Sequence, residues 1–370
     1  MIKTFRYRIY PTAQQEQVLN NQLSLCCELY NAALQERRDA WQREQKHITY
    51  FDQTLQLVEI KKTREEAAAI HVSVLENTLK RVHLAFGSFF RRVKAKQNPG
   101  YPRFRSAHRY HSLTFRNIGN ALHGNKLRVS KVGNVRIKLH RPLVGAIKTL
   151  TVKREAGRWF ALFVVECDAQ PMPFNPNMTG IDVGITHFAT LSDGSMIENP
   201  RYFREAQAKL RRLQRRVARR KKGSNRRRKA MLLLQRFHNH IRDQRRDFHH
   251  KESRKIINAN GLIAVEDLNV KGLASGMLAK SVNDAGWTSF IDMLTYKAEE
   301  AGRLLVKVDP RGTSQTCLCG AKVEKTLSQR WHECSGCGLS AQRDHVSAQL
   351  VLAKALPSGA NVEVVDSCVA

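Results

Sequence analysis

Acidic residues are scarce in this sequence: 32 Asp+Glu stand against 63 Lys+Arg over 370 residues. The resulting formal charge of +31 would destabilise a compact chain by self-repulsion unless a polyanion neutralises it. No uncharged apolar run approaches the ~18 residues of a membrane span. Amphipathic anchors and lipidation signals are missing too, so nucleic acid is the expected polyanion rather than a membrane. The segment Met1 to Tyr10 has no apolar core of a secretion signal, and a reducing cytoplasm with few disulfides is expected. Cysteine is sparse, eight in the chain, which excludes a small disulfide scaffold. Cys26, Cys27, Cys167 and Cys368 have no partner at metal-ligand spacing and read as ordinary thiols. Disorder is excluded, since 42% hydrophobic content can supply a core.

The periodicity changes along the chain. Residues 2–10 read as a strand stopped by Pro11, and Thr12 with Gln15 forms a capping box that opens a helix. Apolar residues at helical spacing continue through about 50–66 and 68–95, so 11–96 reads as a helical block. After Asn98-Pro99-Gly100 come short β-branched runs separated by Gly or Pro, from SLTFR to RWFALFVVECD. These predict a barrel or curled sheet over about 101–168, completed by the strand at 2–10, with the helical block inserted into it. A Pro/Asn-rich linker follows at 169–178. Beyond it strands and helices alternate: a hairpin in GIDVGITHFATLSDG, a basic helical region, a strand in GLIAVEDL, and a helix from about Ala285 to Ala301. The strand RLLVKVD and a last helix from about Asp344 to Leu356 complete an α/β layer with a mixed sheet.

Between Arg201 and Lys255 lie 22 Lys+Arg and four Asp+Glu, a net of +18. Gly223-Ser224-Asn225 divides this stretch into a helical hairpin, with Leu210, Leu213, Val217 and Leu232, Leu233, Phe237, Ile241 as its apolar seam. Like charges on both arms repel unless phosphates intervene. Guanidinium forks suit phosphate oxygens, which makes Arg211, Arg212, Arg215, Arg216, Arg219 and Arg220 candidate nucleic-acid contacts.

Three acids occupy unusual places. Asp182 sits inside an apolar strand between Gly180 and Gly184, Glu266 ends the run Leu262 to Val265, and Asp344 opens the last helix, where it reads equally as an N-cap. Taken together they match acids on the first strand, a central strand and a late helix of an RNase H-like sheet. Converging carboxylates of this kind hold two hard divalent cations for phosphodiester hydrolysis. Cys317, Cys319, Cys334 and Cys337 form two pairs, each followed by glycine, and four thiolates suffice for a closed tetrahedral zinc site. The first pair is Cys-x-Cys, shorter than the usual knuckle. His332 is adjacent, but four thiolates leave it no necessary role.

GIDVGITHFATLSDG, AVEDLNVKGL, TSQTC-x-CG with CSGCG, and QRDHVSAQLVL occur in this order, and the start FRYRIYPTAQQEQVLNNQL fits with them. The set resembles TnpB, a nuclease family encoded by bacterial insertion sequences and related to type V CRISPR effectors, over nearly the whole chain. The resemblance implies a multidomain α+β protein: a β-barrel wedge domain (1–10 and 97–170), an inserted helical recognition domain (11–96), and a RuvC-like, RNase H-like nuclease domain (178–312 and 339–356). A zinc ribbon (313–338) would be inserted in the nuclease domain, and a tail (357–370) would follow it.

The same resemblance implies an RNA-guided DNA endonuclease. Asp182, Glu266 and Asp344 would be the catalytic acids that hold Mg²⁺, and Cys317, Cys319, Cys334 and Cys337 would be the ligands of a structural Zn²⁺. By approximate alignment Tyr50, Thr54, Asn77, Arg116 and Asn117 would read a short DNA motif beside the target. The partners would be a guide RNA derived from the transposon end and double-stranded target DNA, in a bacterial cytoplasm and on the nucleoid when DNA is bound. Two departures stand out: Gln342 where the family often has Asp, and Val346-Ser347 where Asn-Ala is usual. They put cleavage rate in question and keep two other readings in view, a strand-transferase of an insertion sequence and a catalytically inactive nucleic-acid-binding regulator.

Overall fold

The computed structural model describes residues 1–356 except 117, 120, 327 and 328. Asn117 and the tail 357–370 therefore lie outside the described residues. The chain divides into two compact units, Met1–Asp168 and Ala169–Ala370.

The first unit begins with β1 (Ile2–Tyr10), followed by helices α1 (Ala13–Glu44), α2 (Tyr50–Thr63), α3 (Glu65–Ala68) and α4 (Val72–Lys94). Six strands come next: β2 (Ser112–Arg116), β3 (Leu122–His123), β4 (Lys126–Val129), β5 (Gly133–Lys138), β6 (Ala146–Glu155) and β7 (Arg158–Glu166). They join β1 in a seven-stranded sheet of order β2-β6-β7-β1-β5-β4-β3. The first strand lies between β7 and β5, antiparallel to both, so the four helices are looped out between a central strand and an edge strand of one sheet. Tyr7 and Ile9 of β1, Leu19 and Leu23 of α1, Leu79 of α4 and Phe163 of β7 belong to one apolar core. Helical block and sheet are therefore one packing unit, because the helices bury their apolar face on the sheet. Thr12 and Gln15 form the reciprocal capping box at the start of α1.

The second unit carries β8 (Met178–Val183), β9 (His187–Leu191) and β10 (Met196–Glu198), then α5 (Tyr202–Ala218), α6 (Asn225–Ala259) and β11 (Leu262–Glu266). After α7 (Val270–Leu273), α8 (Ala279–Ala285), α9 (Trp287–Ala301) and β12 (Leu304–Val308) come a small hairpin, β13 (Trp331–Glu333) with β14 (Ser340–Gln342), and α10 (Arg343–Ala355). The expected helix from Ala285 starts two residues later, because Gly286 takes a left-handed conformation (φ 69°) that separates α8 from α9.

The main sheet runs β10-β9-β8-β11-β12, with β8, β11 and β12 parallel and β9 antiparallel to β8. Ile181, Ile263 and Val265 face a core shared with Ile257 of α6 and Phe290 and Leu294 of α9. Ala264 and Val308 face α10 through Val351. Side chains alternate along a strand, so Gly180, Asp182, Ala264 and Glu266 lie on the α10 side. A Cβ at Gly180 would stand 2.1 Å from the Ala348 carbonyl oxygen, so only glycine lets α10 approach this closely. Gly180→Ala is accordingly expected to push α10 off the sheet and destabilise the unit by about 1–3 kcal/mol. Thermal unfolding measures this, and an unchanged midpoint would contradict the packing.

Candidate nuclease and metal sites

Asp182 and Glu266 are the residues that follow the paired positions Ile181 and Val265 on adjacent parallel strands. Both stand at the carboxyl ends of their strands, on the side that receives α10. Parallel sheets tend to build sites at this edge, where loops diverge. The close approach at Gly180 sets Ala348 against β8, and Asp344 lies one helical turn before Ala348. Asp344 is not the N-cap: that position is Gln342, which makes no side-chain capping bond. Instead Asp344 Oδ1 accepts from Arg343 Nε at 3.1 Å and Nη2 at 3.0 Å.

The charges of both other acids act on Asp182. Burial, then the charges of Glu266 and Asp344, hold the Asp182 carboxyl well above the usual carboxylate range, with Arg343 pulling the other way. Burial also raises Glu266, against the hydrogen bond from Thr313 and the charge of Lys354. Glu266 is 8% exposed, and Thr313 Oγ1 donates to its Oε1 at 2.5 Å. A buried carboxyl that two other acids raise, as Asp182 is, is short of positive charge. That shortage, with oxygen donors on three separate elements, suits hard divalent cations.

Thr313, Arg343 and Lys354 were not singled out from the sequence. Thr313 is 47 positions from Glu266, and no local pattern connects the two. Arg343 was visible only as the neighbour of Asp344. Its Nη1 also donates to the Gln329 carbonyl at 3.0 Å, which ties the start of α10 to the segment before β13.

The four predicted zinc ligands meet. Their Sγ atoms all lie within 4.8 Å of one another, and no other group of three or more potential ligands does so among the described residues. Cys317 and Cys337 are 3.6 Å apart and Cys319 and Cys334 3.7 Å. A tetrahedron with Zn–S bonds of about 2.3 Å has edges of about 3.8 Å, so the cluster has the size that zinc requires. Gly320 (φ 85°) and Gly338 (φ 72°) are left-handed, and their amides donate to the carbonyls of Cys317 and Cys334, both at 2.9 Å. Bonds from the Cys337 and Gly336 backbone draw the Cys334 thiol down, while Cys337, despite a bond from the Leu339 backbone, is pushed up by its bonds to the other three thiols, as expected of sulfurs crowded together without a cation. His332 stays outside the thiol group; its Nδ1 meets the Lys325 amine. Cys334→Ser is expected to lose about one zinc per chain and to loosen the backbone of 313–342 before it slows cleavage. Metal analysis with hydrogen exchange checks this, and zinc-free protein purified without chelator would contradict it.

The basic helices α5 and α6 pack along Leu210, Val217, Ala230 and Ile241, all buried. Leu232 is half-buried, and Leu233, expected in the seam, is 40% exposed because the helical pitch turns it outward. Arg227 Nη1 donates to the Val217 and Arg220 carbonyls, both at 3.0 Å, and so caps the end of α5. Three of the four acids in this stretch pair on α6 itself: Asp243 with Arg242, Asp247 with Lys251, Glu252 with Lys255. Arg211, Arg212, Arg215, Arg216 and Arg219 are exposed on and just beyond α5, and Arg220 is half-buried.

In the first unit the candidate motif readers sit around α2 and α4. Tyr50 opens α2 and lies 6.1 Å, ring to ring, from His83 of α4. Thr54 Oγ1 donates to the Tyr50 carbonyl at 2.8 Å. Asn77 accepts from Arg81 Nε at 3.0 Å, and the Arg116 amide donates to Ser73 Oγ at 3.3 Å. Among the described residues, no helix is long and apolar enough to cross a membrane.

Residues 162–276 match a family model described as a probable transposase, OrfB_IS605, and residues 287–351 match the Cas12f1-like TNB domain. Residues 1–46 match a helix-turn-helix model, although here they form β1 and the single helix α1. A putative RNA-guided DNA endonuclease of Streptomyces pristinaespiralis is 36% identical over 370 residues, covering 97% of this chain and 90% of the relative. The putative RNA-guided DNA endonuclease InsQ of Escherichia coli K12 is 29% identical, covering 95% and 92%. The fold is similar to that of CasPhi-2 (Cas12j) bound to crRNA, with a TM-score of 0.52 at 9% identity, covering 96% of this chain and 98% of that one. The order of the motifs and an identity that runs through nearly the full length of both chains place this protein in the TnpB family of nucleases.

Proposed function

We propose that the chain is an RNA-guided endonuclease that hydrolyses DNA at Asp182, Glu266 and Asp344. What supports this reading is that Asp182 and Glu266 stand at adjacent strand ends on the side that receives α10, the helix of Asp344, and that the charges of Glu266 and Asp344 both raise Asp182. The three carboxylates would hold divalent cations, Mg²⁺ by donor chemistry. Such cations supply an activated water and stabilise the leaving oxygen. Thr313 would orient Glu266, and Arg343 would hold Asp344 until a cation takes its place. Cys317, Cys319, Cys334 and Cys337 would bind a structural Zn²⁺ that keeps β13, β14 and the start of α10 together.

The seven-stranded sheet would serve as the wedge, a barrel in the family's form, and α1 to α4 as the recognition element. Tyr50, Thr54, Asn77, Arg116 and Asn117 would read the DNA motif. Specificity beyond that motif would come from base pairing with the guide, an RNA from the transposon end. The arginines of α5 would contact phosphates without reading bases. The full-length relatives named as endonucleases support this reading over strand transfer. Purification under native conditions tests it: one defined RNA species should accompany the protein. RNA-free protein that joins DNA ends would favour the strand-transferase.

A further inference from the structure

The first unit holds a cavity of about 1020 Å³ between α1, α2 and α4 that the proposed chemistry does not use. Its lining is aromatic, with Trp41, Tyr50, Phe51 and Phe90 among the rings, and Lys46 and Lys80 add positive charge. Trp41, Phe51 and Phe90 are 55%, 75% and 55% exposed, a large apolar surface for a charged chain to leave uncovered. Arg37 also lines the cavity and is only 9% exposed. Its Nε donates to Gln53 Oε1 at 2.8 Å, but its buried Nη2 has no hydrogen-bond partner. The guanidinium lies over the Phe86 ring, 5.7 Å from its centroid, and so adds its charge to the cavity wall. Flat ring faces, a guanidinium in the wall and flanking lysines together match a nucleobase on its phosphodiester chain.

We propose that this cavity receives an unpaired DNA base beside the recognised motif, stacked on the aromatic side chains of Trp41 and Phe90. The proposal rests on the RNA-guided reading above. Guide pairing requires the duplex to open next to the motif, and the first base released must leave its stack. Tyr50 belongs both to the cavity wall and to the proposed motif readers, and Asn77 precedes Lys80 by about one turn of α4. Motif reading and base capture would thus be continuous on one surface. Lys46 and Lys80 would neutralise the phosphates that flank the captured base.

The test uses the full chain with its co-purified RNA and matched duplexes carrying 2-aminopurine at successive positions beside the motif, on either strand. One position should show a fluorescence change on binding that its neighbours lack. Trp41→Leu and Phe90→Leu should abolish that change and weaken target binding about ten-fold, with RNA content and thermal midpoint unchanged. Both rings are more than half exposed, so these variants are expected to fold. A uniform signal at all positions, or a signal that survives both substitutions, would overturn the proposal. Variants that lose RNA while the DNA signal persists would also overturn it and assign the cavity to RNA. Protein that retains no RNA would bring down the functional reading itself, a result seen before any DNA is added.

Discussion

Asp182→Ala is expected to abolish DNA cleavage, by at least about three orders of magnitude, while RNA and target binding stay within a few-fold of wild type. On the proposed reading the roles are separable, because the acid would hold cations whereas binding would rest on Lys and Arg spread over α5 and the first unit. Glu266→Ala and Asp344→Ala should behave alike, and the losses should not add, since any one breaks the cation site. Stability supplies an independent readout. The Asp182 carboxyl is raised by burial and by its acidic neighbours. Without divalent cation, the folded protein therefore binds this proton more tightly than the unfolded chain does, and stability falls as pH rises through the raised folded-state range. Asp182→Asn should remove that fall and raise the melting temperature of cation-free protein at neutral pH. Added Mg²⁺ should stabilise the wild type more than the variant. An unchanged melting temperature and full cleavage by the variant would remove Asp182 from the site.

Replacing Arg211, Arg212, Arg215 and Arg216 together by alanine should weaken nucleic-acid binding by about two orders of magnitude at physiological salt. The loss should be uniform over sequence, because these side chains would meet phosphates rather than bases. Each phosphate contact contributes about 0.9 to the slope of log affinity against log salt on duplex. Four lost contacts should therefore flatten the slope by roughly 3 to 4. The buried residues of α5, Leu210 and Val217, are untouched by these changes, so folding should persist. An affinity that falls with its salt slope intact would mean the arginines act by another route.

Local patterns were the readable part of this sequence. The Thr12–Gln15 capping box, the strand periods on either side of the linker and the paired cysteines each express chemistry within a few residues, and each forms as expected. What stayed hidden depends on contacts between distant segments. Thr313 reaches Glu266 only because the stretch after β12 folds back across the strand ends. The aromatic cavity gathers Trp41, Phe51 and Phe90 from three helices, and helical periodicity alone cannot tell a core stripe from a lining. Leu233 shows the reverse case: its place inside an apolar run predicts the seam, while one further step along the helix turns it to solvent. The three acids were legible as a set only from their order on an RNase H-like sheet, since each taken singly had an ordinary structural use.

The most direct test of the account replaces the target-pairing segment of the bound RNA and maps cleavage on plasmids that carry either the old or the new matching sequence beside the same motif. In Mg²⁺ the wild-type protein should cut only the plasmid that matches its RNA, so the cut moves with the guide, and the Asp182→Ala complex should bind the same plasmid without cutting it. Cleavage that ignores the change of RNA, or that proceeds without RNA, would contradict the account.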